Sequence, residues 1–337
     1  MKNIIAIIAI ALFVSSCVGN KEKGDIAGIF SDKTTKQINN HLNIIITPDL
    51  SNRISVHTRH KAVHDTLLIK ALLNSYYPDI YKSNGRVTGQ KDEISFLFTN
   101  STIISQQNIN MDALNIDFSN FSDGQRIQYL VSHSDEIALY ELDKKKMNNE
   151  VKRIYNNLTE NPGGADILNY FNQQLKKPKI KENSKPFKFD QTIVYNNQRN
   201  ILILFTDGYI EAGLYGNINC TDNQCVYLDE SVINKFRNSF KASNESDIKK
   251  FFVENNYGIK PIENEQLKDL EVIVVEMYDR SLANSGSQRQ VPNDLEIIKI
   301  FWSDWLEKSG VKKYKLFGTA NSEKDFTENI NSLIEVK

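Results

Sequence analysis

With 337 residues, 40% of them hydrophobic and 25% charged, the chain can bury a substantial core as one large domain or two modest ones. Its 41 basic and 42 acidic residues leave a formal net charge of −1, so no overall field draws it to nucleic acid or to an acidic surface.

The first residues differ from the rest. Lys2 is followed by an unbroken apolar stretch from Ile4 to Val14, too short to span a bilayer comfortably, and then by Ser15, Ser16 and Cys17. This end resembles the lipobox of bacterial lipoproteins, in which signal peptidase cuts before the cysteine and the cysteine is acylated. The resemblance implies a signal peptide over 1–16 and a lipid on Cys17, with the protein held at the cell envelope. Val18, rather than an aspartate, after the lipidated cysteine points to the outer membrane in a cell that has one. The polar stretch to Asn39 reads as a tether, and the folded domain is expected over 40–337.

Strand-like and helix-like segments then alternate. "NIIITP" is a continuous β-branched run, as expected of a strand buried on both faces. In "AVHDTLLIKALLNSYY", Leu68, Ala71, Leu72 and Tyr76 recur at helical spacing behind Asp65, which reads as the N-cap. "EISFLFTN" and "ALNIDFSNF" read as strands, Ser134 to Glu160 as helix-rich, and "ADILNYFNQQL" as a helix restarting after the break at "NPGG". "KKPKIKENSKPFKF", within an insertion near 176–192, reads as a solvated Lys-rich loop. "RNILILFTDG" and "LEVIVVEMYDR" are buried strands, "NDLEIIKIFWSDWLEKSG" is a helix, "KKYKLFG" a strand, and a last helix covers about Glu323 to Glu335. A second insertion near 209–230 contains Cys220 and Cys225, which would form a local disulfide in an oxidising compartment or remain a pair of free thiols.

Apolar strand runs alternating with helices indicate an α/β fold: a three-layer, doubly wound, mainly parallel sheet with helices on both faces. Ligands of such sheets sit outside the carboxyl ends of the strands, where strand order reverses. The first strand ends there in "DLSNRIS" and the Ile201 strand in "TDG", so each delivers an aspartate to that edge.

On these residues the chain resembles the von Willebrand factor A domain. There the first strand ends in Asp-x-Ser-x-Ser, a threonine comes from a glycine-flanked loop, and an aspartate follows the fourth strand, often as Thr-Asp-Gly. The family's adhesion site usually holds magnesium, which suits hydroxyl and carboxylate ligands, and its open position takes an acidic group from a partner. Asp49 and Ser51 match the first motif, Asp207 matches the last, and "GGAD" at Gly163 to Asp166 falls at the threonine loop. Arg53, however, stands in place of the second serine, and Ala165 in the threonine slot. Ser55 would replace one missing ligand and Asp166 the other, unless Asp166 caps the helix after it. Alternatively Arg53 pairs with the two aspartates and takes the place of the cation, leaving a metal-free pocket.

His57, His60 and His64 are spaced three and four apart, a zinc or copper spacing on a helix but of little meaning in a loop. Tyr76, Tyr77 and Tyr81, and Trp302 with Trp305, read as core aromatics. No Gly-x-Ser-x-Gly elbow, His-Glu-x-x-His or phosphate-cradling loop occurs, so no enzyme and no small-molecule substrate are expected. The expected function is protein recognition by an envelope lipoprotein with a degenerate, magnesium-assisted or metal-free site. A metal-free, purely structural envelope lipoprotein is the alternative, and a hydrolase built on Ser51 and the nearby histidines is a lesser one.

Overall fold

The computed structural model describes residues 34–54, 59–86, 89–131, 137–160, 162–211, 220–282 and 286–334. Cys17, Ser55, His57 and the side chain of His60, named above as candidate lipid or metal sites, lie outside the described residues.

In chain order the elements are β1 (Thr35–Pro48), α1 (Arg59–Ser75), β2 (Glu93–Phe96), α2 (Thr102–Gln106), β3 (Asn115–Asp117), α3 (Asp123–Leu130) and α4 (Leu139–Glu160). Then follow α5 (Ile167–Asn169), β4 (Phe187–Phe189), β5 (Thr192–Phe205), β6 (Cys220–Thr221), β7 (Gln224–Cys225), α6 (Glu230–Ser243) and α7 (Ile248–Glu254). The chain closes with β8 (Gly258–Ile259), β9 (Leu270–Met277), α8 (Asp294–Lys308), β10 (Lys313–Gly318) and α9 (Glu323–Ile334). The protein is thus mixed α/β.

The central sheet has the order β10-β9-β5-β1-β2-β3, with β4 alongside β5. β2, β1, β5, β9 and β10 run parallel, whereas β3 and β4 are antiparallel to their neighbours. From β1 the chain builds outward to β3, then returns to β5 on the other side of β1. The carboxyl ends of β1 and β5 therefore flank the point where strand order reverses.

The β-branched runs explain the centre of this sheet. Ile44 and Ile46 of β1 join Ile201 and Ile203 of β5 in one core, which Leu72 of α1, Val151 of α4 and Ile330 of α9 complete. Ile45 faces the other way and joins Leu202, Leu204 and Val274 in a second core, with Ile233 of α6 and Phe301 of α8. Each of these buried aliphatic side chains contributes roughly 1.5–3 kcal/mol. Trp302 and Trp305 lie wholly inside the second core. Tyr76 and Tyr81 are buried in the first, with Tyr77 packed at its margin.

Several boundaries differ from expectation. β1 starts at Thr35, five residues inside the expected tether. α1 starts at Arg59, so Asp65 lies within the helix and caps nothing; its carboxylate serves an ion pair instead. The predicted helix after "NPGG" is three residues of α5 followed by a wider turn over Tyr170–Gln174. The helices α6 and α7 were not read from sequence, although Asp229 and Asp247 are ordinary side-chain N-caps before apolar residues at helical spacing. Part of the Lys-rich loop forms β4, turned back onto β5 through Asp190, whose φ is +50°. A disulfide joins Cys220 and Cys225 across the β6–β7 hairpin. Among the described residues, no helix is long and apolar enough to cross a membrane.

Candidate functional site

The parallel pairing of β1 with β5 brings the two aspartates to one edge. Asp49 N donates to Phe205 O at 2.8 Å, so the loops after the two strands leave side by side. Asp49 and Asp207 are 1% and 3% exposed. Asp49 Oδ2 accepts from Thr206 Oγ at 2.7 Å, and Oδ1 accepts from Ser51 N at 3.0 Å. Burial, and then the neighbouring charge of Asp207, push the Asp49 carboxyl above its ordinary range; Arg53, Ser51 and Thr206 pull against that shift.

Asp207 has its own cation. Arg280, from the loop after β9, donates Nη2 to Asp207 Oδ2 at 2.9 Å and lies 3.9 Å over the Tyr209 ring. It also pairs with Glu211. Burial works against its charge, but Glu211 and Asp207 outweigh it and hold the guanidinium above its ordinary range. The Thr-Asp-Gly turn itself is built around Gly208. At φ +88°, a Cβ there would stand 2.7 Å from Ile298 and 2.9 Å from Met277, and Gly208 O accepts from Trp302 Nε1 at 2.8 Å.

Arg53 is placed differently from the cation-substitute expectation. Its guanidinium makes a two-pronged pair with Asp65 at 2.6 and 2.9 Å, and Tyr155 donates to the same carboxylate at 2.9 Å. It reaches Asp49 only at the main-chain carbonyl, 3.4 Å away. Burial disfavours its charge, yet Asp65 more than compensates and raises its pKa. Ser51 lies beside Asp49, half-buried, its Oγ facing Arg53 N at 3.5 Å. The "GGAD" loop also reaches this edge: Gly163 N donates to Leu50 O at 2.9 Å. Its Asp166 is the N-cap of α5, accepting from Asn169 N at 3.0 Å; partial burial raises its pKa and that donor lowers it.

Lys61, on the first turn of α1, was not singled out in the sequence because the surrounding histidines carry the more familiar spacing. Its Nζ lies 3.4 Å over the Tyr278 ring. Among the described residues no hydrogen-bond or ion-pair partner is found for it. Burial pushes its pKa down to about 8; Asp207 and Asp65 oppose that shift, whereas Arg53 and Arg280 add to it. His64 stands one turn further along, Nε2 3.5 Å from Glu276 Oε2, and that carboxylate raises its pKa against the effect of burial. Glu276 is buried at φ +67° and also accepts from Ala320 N at 2.9 Å. Among the described residues, no group of three or more His, Cys, Asp or Glu side chains is arranged to hold a metal ion.

The chain matches no family model and no curated protein. Among solved structures it is similar to proximal thread matrix protein 1 from the mussel byssus, at 12% identity and a TM-score of 0.31, over 89% of this chain and 48% of that one. It is similar also to the pilus adhesin SpaC from Lactobacillus rhamnosus GG, at 10% identity and a TM-score of 0.33, over 88% of this chain and 30% of that one. The chain thus spans less than half the length of either. Likenesses this weak identify neither a family nor a function.

Proposed function

We infer that this is a lipid-anchored envelope protein, outer-membrane in a cell that has one. Its folded part is a three-layer, doubly wound domain of the von Willebrand factor A kind that binds a protein partner at the carboxyl edge of its sheet. It is a binding module rather than an enzyme, and it works there without a divalent cation. The charge balance of the crevice carries this reading. Asp49, Asp65 and Asp207 meet Arg53, Lys61 and Arg280 at this edge, and Arg280 also pairs with Glu211. A magnesium ion would have to compete with these bases for carboxylates they already hold, and a buried base left unpaired is costly.

The donor set agrees. Both Asp49 oxygens already accept hydrogen bonds, one Asp207 oxygen is on Arg280, Asp166 caps a helix, and alanine stands at position 165. Magnesium keeps several waters but still needs a direct carboxylate or hydroxyl ligand, and to gain one here it would have to displace bonds these groups already make. Lys61 and Arg280 supply the positive charge instead, and Lys61, without an ionic partner among the described residues, is the group that meets an acidic side chain of the partner. Affinity capture from solubilised envelopes tests this, with and without chelator. Capture that resists chelator, weakens with salt and is lost in Lys61→Met is the expected result. Chelator-sensitive capture, or a calorimetric magnesium signal that disappears in Asp207→Ala, would overturn it.

A further inference from the structure

At the amino end the sheet narrows to a ribbon. β1 pairs with β2 only from Asn43 onward, and β5 with β9 only from Asn200. Thr35–Leu42 and Thr192–Arg199 therefore pair with each other alone, apart from β4 on the outer side of β5. Asn40 and His41 are still held by Arg86 and Lys91, so the free part of the ribbon, Thr35 to Ile38, reaches about 13 Å beyond the body of the protein.

Its side chains are unusual for so exposed a place. Phe187 and Phe189 share one face, through their register with Val194 and Thr192, and are 51% and 73% exposed. Ile38 and Tyr195 share the opposite face, and Ile38 is 49% exposed. Lysines are interleaved: Lys36 Nζ lies 4.7 Å over the Tyr195 ring, Lys188 stands between the two phenylalanines, and Lys185 precedes them. Asp190, in the hairpin turn, is the one acid among these residues.

We propose that this ribbon is a membrane-contacting element that enters the interface of a bilayer tip first, with Phe187 and Phe189 on one face and Ile38 on the other, while Lys36, Lys185 and Lys188 meet anionic headgroups. The inference rests on the lipid anchor at Cys17, and two observations select a bilayer over other occupants. The chain that joins Cys17 to the ribbon is 17 residues long, enters at the ribbon's own tip, and can span no more than about 65 Å. The attachment point thus lies nearest this end of the molecule, with the carboxyl edge about 46 Å farther along β1. The composition also fits: aromatic rings at headgroup depth, with lysine stems packed along apolar surface and their ammonium groups in water. The acyl chains supply attachment, and the ribbon supplies orientation. With the amino edge down, the crevice at Asp49 and Asp207 is presented away from the membrane.

The test uses the lipidated protein reconstituted in vesicles of phosphatidylglycerol and phosphatidylcholine, carrying Phe189→Trp. Trp302 and Trp305 are fully buried, so quenching by brominated lipid reports position 189. The same protein carrying Val63→Trp is the comparison, because Val63 is 52% exposed on the first turns of α1, just past the carboxyl edge. Expected are lipid quenching and loss of iodide access at 189 but not at 63, and a contact equilibrium weakened about fivefold for each lysine removed in Lys36→Gln and Lys188→Gln. Vesicle flotation with position 189 still open to iodide would overturn the ribbon's role and leave the lipid anchor standing. Failure to float would remove both. Shielding of position 189 that grows with protein concentration in the absence of lipid would assign the ribbon to a second copy of this chain instead.

Discussion

Replacing Arg280 with alanine tests the charge arrangement most directly. The substitution leaves Asp207, whose side chain is 4% exposed, without the cation that now stands 2.9 Å from it. Removing one partner of a fully buried pair costs about 3–5 kcal/mol. Here the Arg280 side chain is 26% exposed, so part of its interaction is screened by water. Discounted for that, Arg280→Ala is expected to lose about 2–3 kcal/mol at neutral pH, read from urea midpoints at unchanged slope.

The pH dependence is more specific than the size. The folded Asp49 carboxyl sits above its ordinary value of 3.8, because of burial and then Asp207. A folded state with a raised carboxyl pKa binds more protons than the unfolded one. Its contribution is complete below the unfolded value and is lost as pH rises through the folded value. Without Arg280 the charge of Asp207 is no longer offset, so Asp49 is pushed further up. The deficit of Arg280→Ala is therefore expected to shrink as pH falls from 7.5 to about 5. Adding Asp207→Asn in the same chain should return about 1–2 kcal/mol, as a direct coupling requires. A deficit below about 0.5 kcal/mol, within the range of ordinary surface substitutions, would refute the claim that Arg280 holds this edge together. So would a deficit that is the same at both pH values.

Gly208→Ala should cost about 2 kcal/mol or more, since φ there is +88° and the new Cβ would press on Ile298 and Met277; a thermal melt indistinguishable from wild type would contradict that packing. His64 is raised by Glu276, so its contribution is present in full below 6.5 and fades as pH rises through the folded value. His64→Gln should accordingly flatten the stability profile between about pH 6 and 8, and an unchanged profile would remove the His64–Glu276 tie. Opening the Cys220–Cys225 link with Cys220→Ser/Cys225→Ser should cost about 2 kcal/mol in urea, as expected for so short a loop, and a loss far larger would mean that it supports more than its own hairpin.

The elements that could be read from the chain are those whose pattern is self-sufficient. Ile44 to Ile46 and Ile201 to Phe205 are unbroken apolar runs, as expected of strands covered on both sides, and they are adjacent and parallel. α1 was placed too late because an acidic residue in front of a helical repeat looks like a cap. Asp65 instead faces inward, and what draws it in is Arg53, twelve positions away, held at 2.6 Å. The strand β4 was hidden for a related reason. "FKF" in a lysine-rich stretch carries no buried face, since all three residues are exposed, and it exists only because Asp190 turns it back along β5.

The candidate site shows the same division. Two of its aspartates could be found because each ends a strand with an unmistakable pattern. Beside the von Willebrand factor A resemblance, the sequence also shows an arginine where a serine is expected at 53 and an alanine where a threonine is expected at 165. The cations that gather at this edge belong to no shared motif. Arg280 arrives 73 positions after Asp207, from a loop beyond β9, and Lys61 comes from the helix between β1 and β2. A metal site announces itself through residues that share a motif, whereas compensation by side-chain charge needs only convergence in space. Arg53, the local candidate, makes its two-pronged pair with Asp65, a carboxylate it shares with Tyr155, and touches Asp49 at the main-chain carbonyl. The cation that pairs with Asp207 is thus not one close to it in sequence, and the strand order is what brings Arg280 there.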